Sequence, residues 1–308
     1  MTFITVVPYD PVWPILFDKE TKLLSQALGD NCIAIHHIGS TSIPGLSAKP
    51  IIDILPVVKN IQEVDKATQA MEALGYDAKG EGGMAFKRFF TKGNPLRTHN
   101  VHVHEEGNPE IDRYLKFRDW MRSHPDDALA YAALKKELAE KFSQDIFKYC
   151  SGKDDFVASI DTKTEFTGWR MVQALTDKEW AAVDALRNQP LEDSLKQKNH
   201  IHFVFYRNAV IIGYAHLQLY QNNEAILQCM AIDENHRNLG FGSLLLKLCE
   251  RWLKEQGFPI LSIYPSQKYH AFYSNHGYTE TPLDNPLSKK SLPEKSFLHY
   301  GQLRKKLI

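Results

Sequence analysis

A glycine turn set between a strand and an amphipathic helix constrains this chain more than any other feature. The segment AILQCMAID (225–233) reads as a strand ending in a loop, and HRNLGFGSLLLKLCERWLKEQG (236–257) follows it. In that run Arg237, Gly240 and Gly242 have the spacing R-x-x-G-x-G directly before apolar residues at helical periodicity. Glycines let backbone N–H groups converge without obstruction by a Cβ, and the helix N-terminus adds partial positive charge. The pattern predicts a strand, a turn and a helix arranged to hold a phosphate-bearing cofactor.

A second signal lies downstream. The segment PILSIYPSQKYHAFYSNHGYTE (259–280) reads as a strand and a helix, with Phe272 and Tyr273 followed by Gly277 and Tyr278. With the glycine turn and the closing SFLHYGQLRKKL (296–307), this half resembles the GNAT acetyltransferases, in which such a loop holds the pyrophosphate of acetyl-CoA. The resemblance implies phosphate contacts from Arg237, Asn238, Leu239, Gly240, Phe241, Gly242 and Ser243. It implies backbone contacts to the pantetheine arm and carbonyl from Met230, Ala231 and Ile232, at a bulge in residues 230–232. It also gives Tyr273 the role of general acid toward the departing thiolate, and leaves Phe272 to the core. A lysine-like amine costs about 4–5 kcal/mol to deprotonate at pH 7, so a base is needed. Glu224, Gln228 and His216 are the candidates, and apolar Ile226 stands where some family members carry a catalytic glutamate. The stretch 190–199 is too short for the second helix common in the family, which predicts an open acceptor pocket there.

The length of 308 residues is about twice a common domain size, so two domains are expected. The boundary is placed in DTKTEFTG (161–168), giving domains 1–165 and 166–308. Lys plus Arg and Asp plus Glu each total 37, so no global charge points to nucleic acid or an acidic membrane surface. Cys32, Cys150, Cys229 and Cys249 form no C-x-x-C pair, which argues against a disulfide framework or zinc site. No leader-like N-terminus and no membrane-length apolar run is found, and a cytoplasmic location is the expectation.

The first half reads as a mixed α/β unit. A helix is expected over 15–30, starting near Trp13, with strands at 32–40 and 49–58 and a helix at 59–76. A pair of strands follows at 84–92 and 98–106, then two helices within 111–149, the second started by Pro125. The runs HHIGSTSIPGLSAKPIIDILPVV (36–58), RTHNVHVHEEG (97–107) and FRDWMRSHPDDALAYAALKKEL resemble the GrpB family over roughly residues 5–160. That resemblance implies a nucleotidyltransferase-like fold in which Gly39 and Ser40 contact phosphate and Asp53 faces Mg2+. Leu55 stands where an active enzyme carries its second carboxylate, and a single carboxylate makes a poor two-metal site, so no metal ligands are assigned. Alternation on a strand points His102 and His104 to one face, with His99 as a third member of the cluster; imidazoles so placed can ligate a transition metal, and the favoured reading is that they line a pocket or a hydrogen-bonded network. Lys49, Arg88 and Arg97 add positive charge that suits a nucleotide or phosphate.

The expectation is therefore an α/β (α+β) protein of two domains that transfers acetyl from acetyl-CoA to a small-molecule or peptide amine, with a GrpB-like domain of ligand-binding or accessory role. A non-catalytic acyl-CoA or nucleotide sensor is the alternative, and a nucleotidyltransferase acting through the first domain is a third reading. The resemblance also notes GrpB-like domains joined to dephospho-CoA kinase.

Overall fold

The computed structural model describes residues 4–280 and 302–307. Residues 296–301 of the closing motif lie outside the described residues. Two compact units are present, Met1–Arg170 with Arg207–Ala209 and Met171–Tyr206 with Val210–Ile308.

Unit 1 opens with helix α1 (Val12–Leu28), whose first amide, from Val12, donates to Asp10 Oδ1 at 2.9 Å. Strands β1 (Cys32–Ile38) and β2 (Ile52–Val58) pair antiparallel. β2 begins later than the sequence suggested because Pro50 has no amide to donate and the Ile51 amide turns back to Lys49 O at 2.7 Å. The helix expected over 59–76 is two short ones, α2 (Glu63–Lys66) and α3 (Thr68–Ala73), interrupted at Ala67. β3 (Tyr76–Ala78), β4 (Lys87–Lys92) and β5 (His99–Glu105) complete a sheet of order β1-β2-β5-β4-β3, in which β2 and β5 are parallel and the other pairs antiparallel. β2 is the strand most deeply covered, and its Ile54 and Val58 join Leu24 and Leu28 of α1, Met71 of α3 and Val101 and Val103 of β5 in one core.

Four helices follow. α4 (Pro109–Ser123) is capped by the Asn108 side chain accepting from the Glu110 amide, with proline in its first turn. α5 (Pro125–Lys141) begins at Pro125 as the sequence predicts. α6 (Ile146–Ser151) and α7 (Asp154–Lys163) were not expected as separate helices. α7 is held by Ile160 in the core and by Asp161, which accepts from Arg113 at 2.8–3.0 Å.

Unit 2 is built on β6 (Trp169–Gln173), β7 (His200–Arg207), β8 (Val210–Leu219), β9 (Glu224–Ile232), β10 (Ile260–Ile263), β11 (Thr279–Glu280) and β12 (Leu303–Lys306), in the order β11-β12-β10-β9-β8-β7-β6. Its helices are α8 (Asp177–Arg187), α9 (Phe241–Glu255) and α10 (Gln267–Ser274). A reciprocal capping box of Thr176 and Glu179 starts α8, and Val183 packs with Val204, Tyr206 and Tyr214 on one sheet face. α9 buries Leu245, Leu246, Cys249 and Leu253, and its Trp252 meets Phe203 edge-on at 5.0 Å. Within 190–199 there is only a 3-10 turn, Asp193–Lys196. No helix among the described residues is long and apolar enough to cross a membrane.

Candidate functional site

In unit 2 the parallel pairing of β9 with β10 covers only Glu224 to Leu227 against Ile260 to Ile263. β10 ends there, while β9 continues through Gln228, Cys229, Met230, Ala231 and Ile232, all half-buried. Among the described residues, the backbone of Met230, Ala231 and Ile232 thus has an edge without a neighbouring strand on the β10 side. The register irregularity in β9 is not at 230–232. His216 pairs with Cys229 and Leu217 with Leu227, so Gln228 is the extra residue, its Nε2 donating to Gln218 Oε1 at 2.7 Å. No glycine or proline marks that point in the sequence, and the resemblance placed the bulge at residues 230–232.

The chain then turns through Glu234, Asn235 and His236 into the glycine run. Asn238 and Gly240 have φ of +60° and +84°, and the first backbone bond of α9 runs from the Leu244 amide to Gly240 O at 3.0 Å. The amides of Phe241, Gly242 and Ser243 precede that bond and sit at the positive end of the helix, whose first turn holds no acidic residue. Gly242 is informative because its φ is helical and a Cβ there would meet nothing closer than the Phe272 ring at 3.7 Å. The protein's own packing does not demand glycine at this point, and the missing Cβ leaves the backbone open to close approach. Leu239 is exposed, and Arg237 Nε donates to Ile232 O at 3.0 Å while Nη1 lies 3.3 Å from Glu234 Oε1. These observations fit a pyrophosphate at the turn and an acyl-pantetheine arm along the β9 edge.

The structure brings Tyr273 to this region and leaves Glu224 out of it. Phe272 is half-buried beside Gly242 and Ile232 rather than in the core. Its neighbour Tyr273 is buried, and burial, reinforced by Cys229, Cys249 and Tyr269, raises its pKa well above the usual tyrosine range. The phenol therefore keeps its proton at neutral pH. Glu224 stands at the opposite end of β9 from Ile232, roughly 26 Å away at strand rise, in an ion pair with Arg304. Gln228 carries no basic group.

A histidine cluster forms on the α8 side of the sheet. His200 Nδ1 lies 2.7 Å from His216 Nε2, and the His216 ring stacks on His202 at 4.2 Å. His202 Nε2 donates to Leu195 O at 2.7 Å, so its Nδ1 accepts from Tyr214 O–H at 2.6 Å. Burial, with the neighbouring histidines adding to it, pushes His216 down to about 2. His200 and His202 were missed from the sequence; the H-x-H spacing at the start of β7 opposite His216 was the available signal.

Unit 1 holds a cavity of about 320 Å³ lined by Ser40, Lys49, Asp53, Asn100, His102, Tyr114, Lys135, Tyr149, Cys150 and Lys153. Gly39, at φ +67°, lets the turn pass so near Asp53 that a Cβ would lie 2.5 Å from Oδ2. The turn is fastened by Ser42 Oγ donating to Gly39 O at 2.6 Å and by Arg122 donating to Ser42 O at 2.8 and 3.1 Å. Asp53 Oδ1 accepts from Asn100 Nδ2 at 2.8 Å and lies 3.6 Å from His102 Nε2. Burial works to raise the Asp53 pKa, but His102 and Asn100 outweigh it and hold the carboxyl below its ordinary value. Burial holds His102 neutral.

Of the expected ligand residues, Gly39, Ser40, Lys49, Asp53 and His102 meet at this cavity. His104 shares the face of His102 but is fully buried behind it, with neither ring nitrogen paired. His99 is on the other face, its Nδ1 2.9 Å from Thr98 Oγ1. Arg88 is spent on Asp65 at 2.6 and 2.8 Å, and Arg97 is exposed and outside the cavity lining. Their place is taken by Lys135 and Lys153. Lys135 was legible in principle, since it falls on the buried stripe of α5 with Tyr131, Leu138 and Ala139. For Mg2+ the donor set does not fit: one carboxylate, already engaged by Asn100, faces a buried Leu55, and no group of three or more metal-ligating side chains occurs among the described residues.

Comparison with known proteins agrees with this division. Residues 3–163 match the family model of the GrpB protein, and residues 167–278 match that of the acetyltransferase (GNAT) family. UPF0157 protein YqkA of Bacillus subtilis is 46% identical over 158 residues, 51% of this chain and 46% of that protein. UPF0157 protein PA4798 of Pseudomonas aeruginosa is 44% identical over 161 residues, 51% of this chain and 66% of that protein. The chain thus spans about half to two-thirds of these relatives, 46% and 66% of their lengths. The crystal structure of conserved protein GrpB from Enterococcus faecalis covers 52% of this chain and 96% of its own, at 42% identity and a TM-score of 0.50.

Proposed function

Because the chain belongs to the GrpB family through residues 3–163 and carries a GNAT-family acyltransferase domain over 167–278, we propose that it is an acetyl-CoA-dependent N-acetyltransferase acting on an amine. The observation that carries this reading is the unpaired β9 edge running into a glycine turn whose Gly242 the fold itself does not need. Acetyl-CoA, when bound, supplies an activated acyl thioester. The amides of Phe241, Gly242 and Ser243 hold its pyrophosphate, with Arg237, Asn238, Leu239 and Gly240 shaping the loop. The backbone of Met230, Ala231 and Ile232 orients the pantetheine arm in the manner of an added strand. Tyr273, kept protonated by burial, delivers its proton to the departing thiolate.

For the acceptor, His216 is the remaining base candidate. It lies opposite Cys229, which is one of the groups acting on Tyr273. Held neutral by burial, His216 passes a proton on rather than storing it, and half-exposed His200, 2.7 Å away, connects it to solvent. The GrpB unit is proposed as a ligand-binding domain for a nucleotide or phosphate. The test is thiol release from acetyl-CoA across an amine panel, with Tyr273→Phe alongside wild type. Saturable release that falls at least ~100-fold in kcat in the variant supports the assignment. Tight acetyl-CoA binding with no release above background on any amine would move the reading to an acyl-CoA sensor.

A further inference from the structure

The unit 1 cavity carries an imbalance of charge that the rest of the fold does not use. Lys49 and Lys153 place their ammonium groups over the same Tyr149 ring, at 5.4 and 4.6 Å from its centroid. Lys135, only 2% exposed, enters from α5, donates to Ser47 O at 2.5 Å and sits 4.7 Å from the Tyr131 ring. Among the described residues none of the three has a carboxylate within ion-pair distance. Holding three ammonium groups together, Lys135 buried and Lys49 and Lys153 half-buried, is unfavourable unless something else neutralises them. The same cavity is lined by Asp53, Asn100 and His102, and Asn100 Oδ1 and His102 Nδ1 are buried without a protein partner.

We propose that this cavity binds a phosphorylated, hydroxyl-bearing ligand without magnesium, Lys49, Lys135 and Lys153 taking the place of the metal. The reading rests on unit 1 being a ligand-binding domain and adds the ligand class and the absence of a metal requirement. Polarity orients the ligand. A phosphate placed near Asp53 would meet a carboxylate already ionised, so the phosphate belongs beside the lysines. Hydroxyl groups belong beside Asp53, where the carboxylate accepts. Three cations match a phosphate dianion or a diphosphate better than a single carboxylate. The cavity, about 320 Å³, lies at the small end of small-molecule sites.

Calorimetry on the full chain with ribose 5-phosphate, pyrophosphate and ADP, each in EDTA and again with Mg2+, tests this. The glycine turn of unit 2 is a second potential phosphate site, so Lys135→Met, Lys153→Met and Arg237→Ala are titrated in parallel. Met fills the volume of a lysine stem, and Lys135→Met is expected to fold. The expected result is binding of ribose 5-phosphate in EDTA that weakens at least 10-fold in each lysine variant and persists in Arg237→Ala. Binding that appears only with Mg2+ overturns the metal-free claim while sparing the ligand-binding role. No binding of any probe in either condition overturns both. Binding that survives the lysine variants and disappears in Arg237→Ala assigns the phosphate to unit 2 and refutes the proposal.

Discussion

Replacing Gly39 by alanine tests whether the turn and Asp53 form one unit. Two costs are readable from the structure. Gly39 has φ +67° and ψ −174°, a region that residues with a Cβ occupy at about 1–3 kcal/mol. The new Cβ would also lie 2.5 Å from Asp53 Oδ2 and 3.0 Å from its Cβ. Asp53 sits in paired backbone, opposite Ile38 in β1 and Asn100 in β5, so the side chain must swing rather than the strand shift. Swinging breaks its bond from Asn100, a charge-assisted hydrogen bond of about 1.5–3 kcal/mol. Gly39→Ala should therefore cost about 2.5–6 kcal/mol, read as local opening free energy from hydrogen exchange of β1, β2 and β5 amides. Asp53→Ala removes the obstructing carboxylate, so in the double variant the backbone strain, the lost bond and the 3.0 Å Cβ contact, common to both Gly39→Ala backgrounds, remain. The two substitutions should fall short of additivity by about 1.5–3 kcal/mol. Additivity within about 0.5 kcal/mol would refute the close-approach argument.

Other outcomes follow from the same geometry. Gly242→Ala should leave stability within about 1 kcal/mol, because its Cβ finds an ordinary 3.7 Å contact with Phe272; calorimetry should show acetyl-CoA binding at least ~10-fold weaker, a loss of about 1.4 kcal/mol. Glu224→Gln should lower the melting temperature through loss of the Arg304 pair while leaving turnover within about twofold, since general-base loss costs about 100-fold or more. Binding of ribose 5-phosphate should weaken as pH rises through about 7, where Lys135, depressed by burial and then by Lys153, loses its charge. The sign for stability is opposite: the unfolded chain holds that proton up to the ordinary lysine range, so the unliganded protein gains stability as pH rises above about 7. A pH titration of unliganded and liganded melting temperatures separates the two trends.

What the sequence made legible was what local physics decides. Pro125 and the apolar spacing marked α5, and the glycine run marked the start of α9, because helix entry depends on a few adjacent residues. The alternation of His102 with His104 gave their shared face but not their depth, which β2, paired with β5 from far upstream, and α4 decide. Arg88 and Arg97 looked equivalent to Lys49 in sequence. Only the fold shows that Asp65 captures Arg88 and that Arg97 points to water. Glu224 looked like a base because it opens the right strand; strand length alone, nine residues to Ile232, separates it from the chemistry. The His200 and His216 contact joins residues on two strands, and its register depends on the turn between β7 and β8.

As proposed, the two units hold an anion with different physics, and the difference is measurable. The unit 2 turn uses backbone amides and a helix terminus, whose partial charges do not titrate. The unit 1 cavity uses three ammonium groups that repel one another, so Lys153 lowers both Lys49 and Lys135 beyond what burial does. Fixed dipoles give an affinity nearly flat across neutral pH, whereas clustered lysines give one that rises on acidification until the phosphate itself protonates, near pH 6 for a monoester. Acetyl-CoA affinity should therefore change little between about pH 6.5 and 8.5, while ribose 5-phosphate affinity falls across the same interval. Parallel pH profiles for both ligands would mean that one set of groups serves both, and the assignment of separate anion sites would fail.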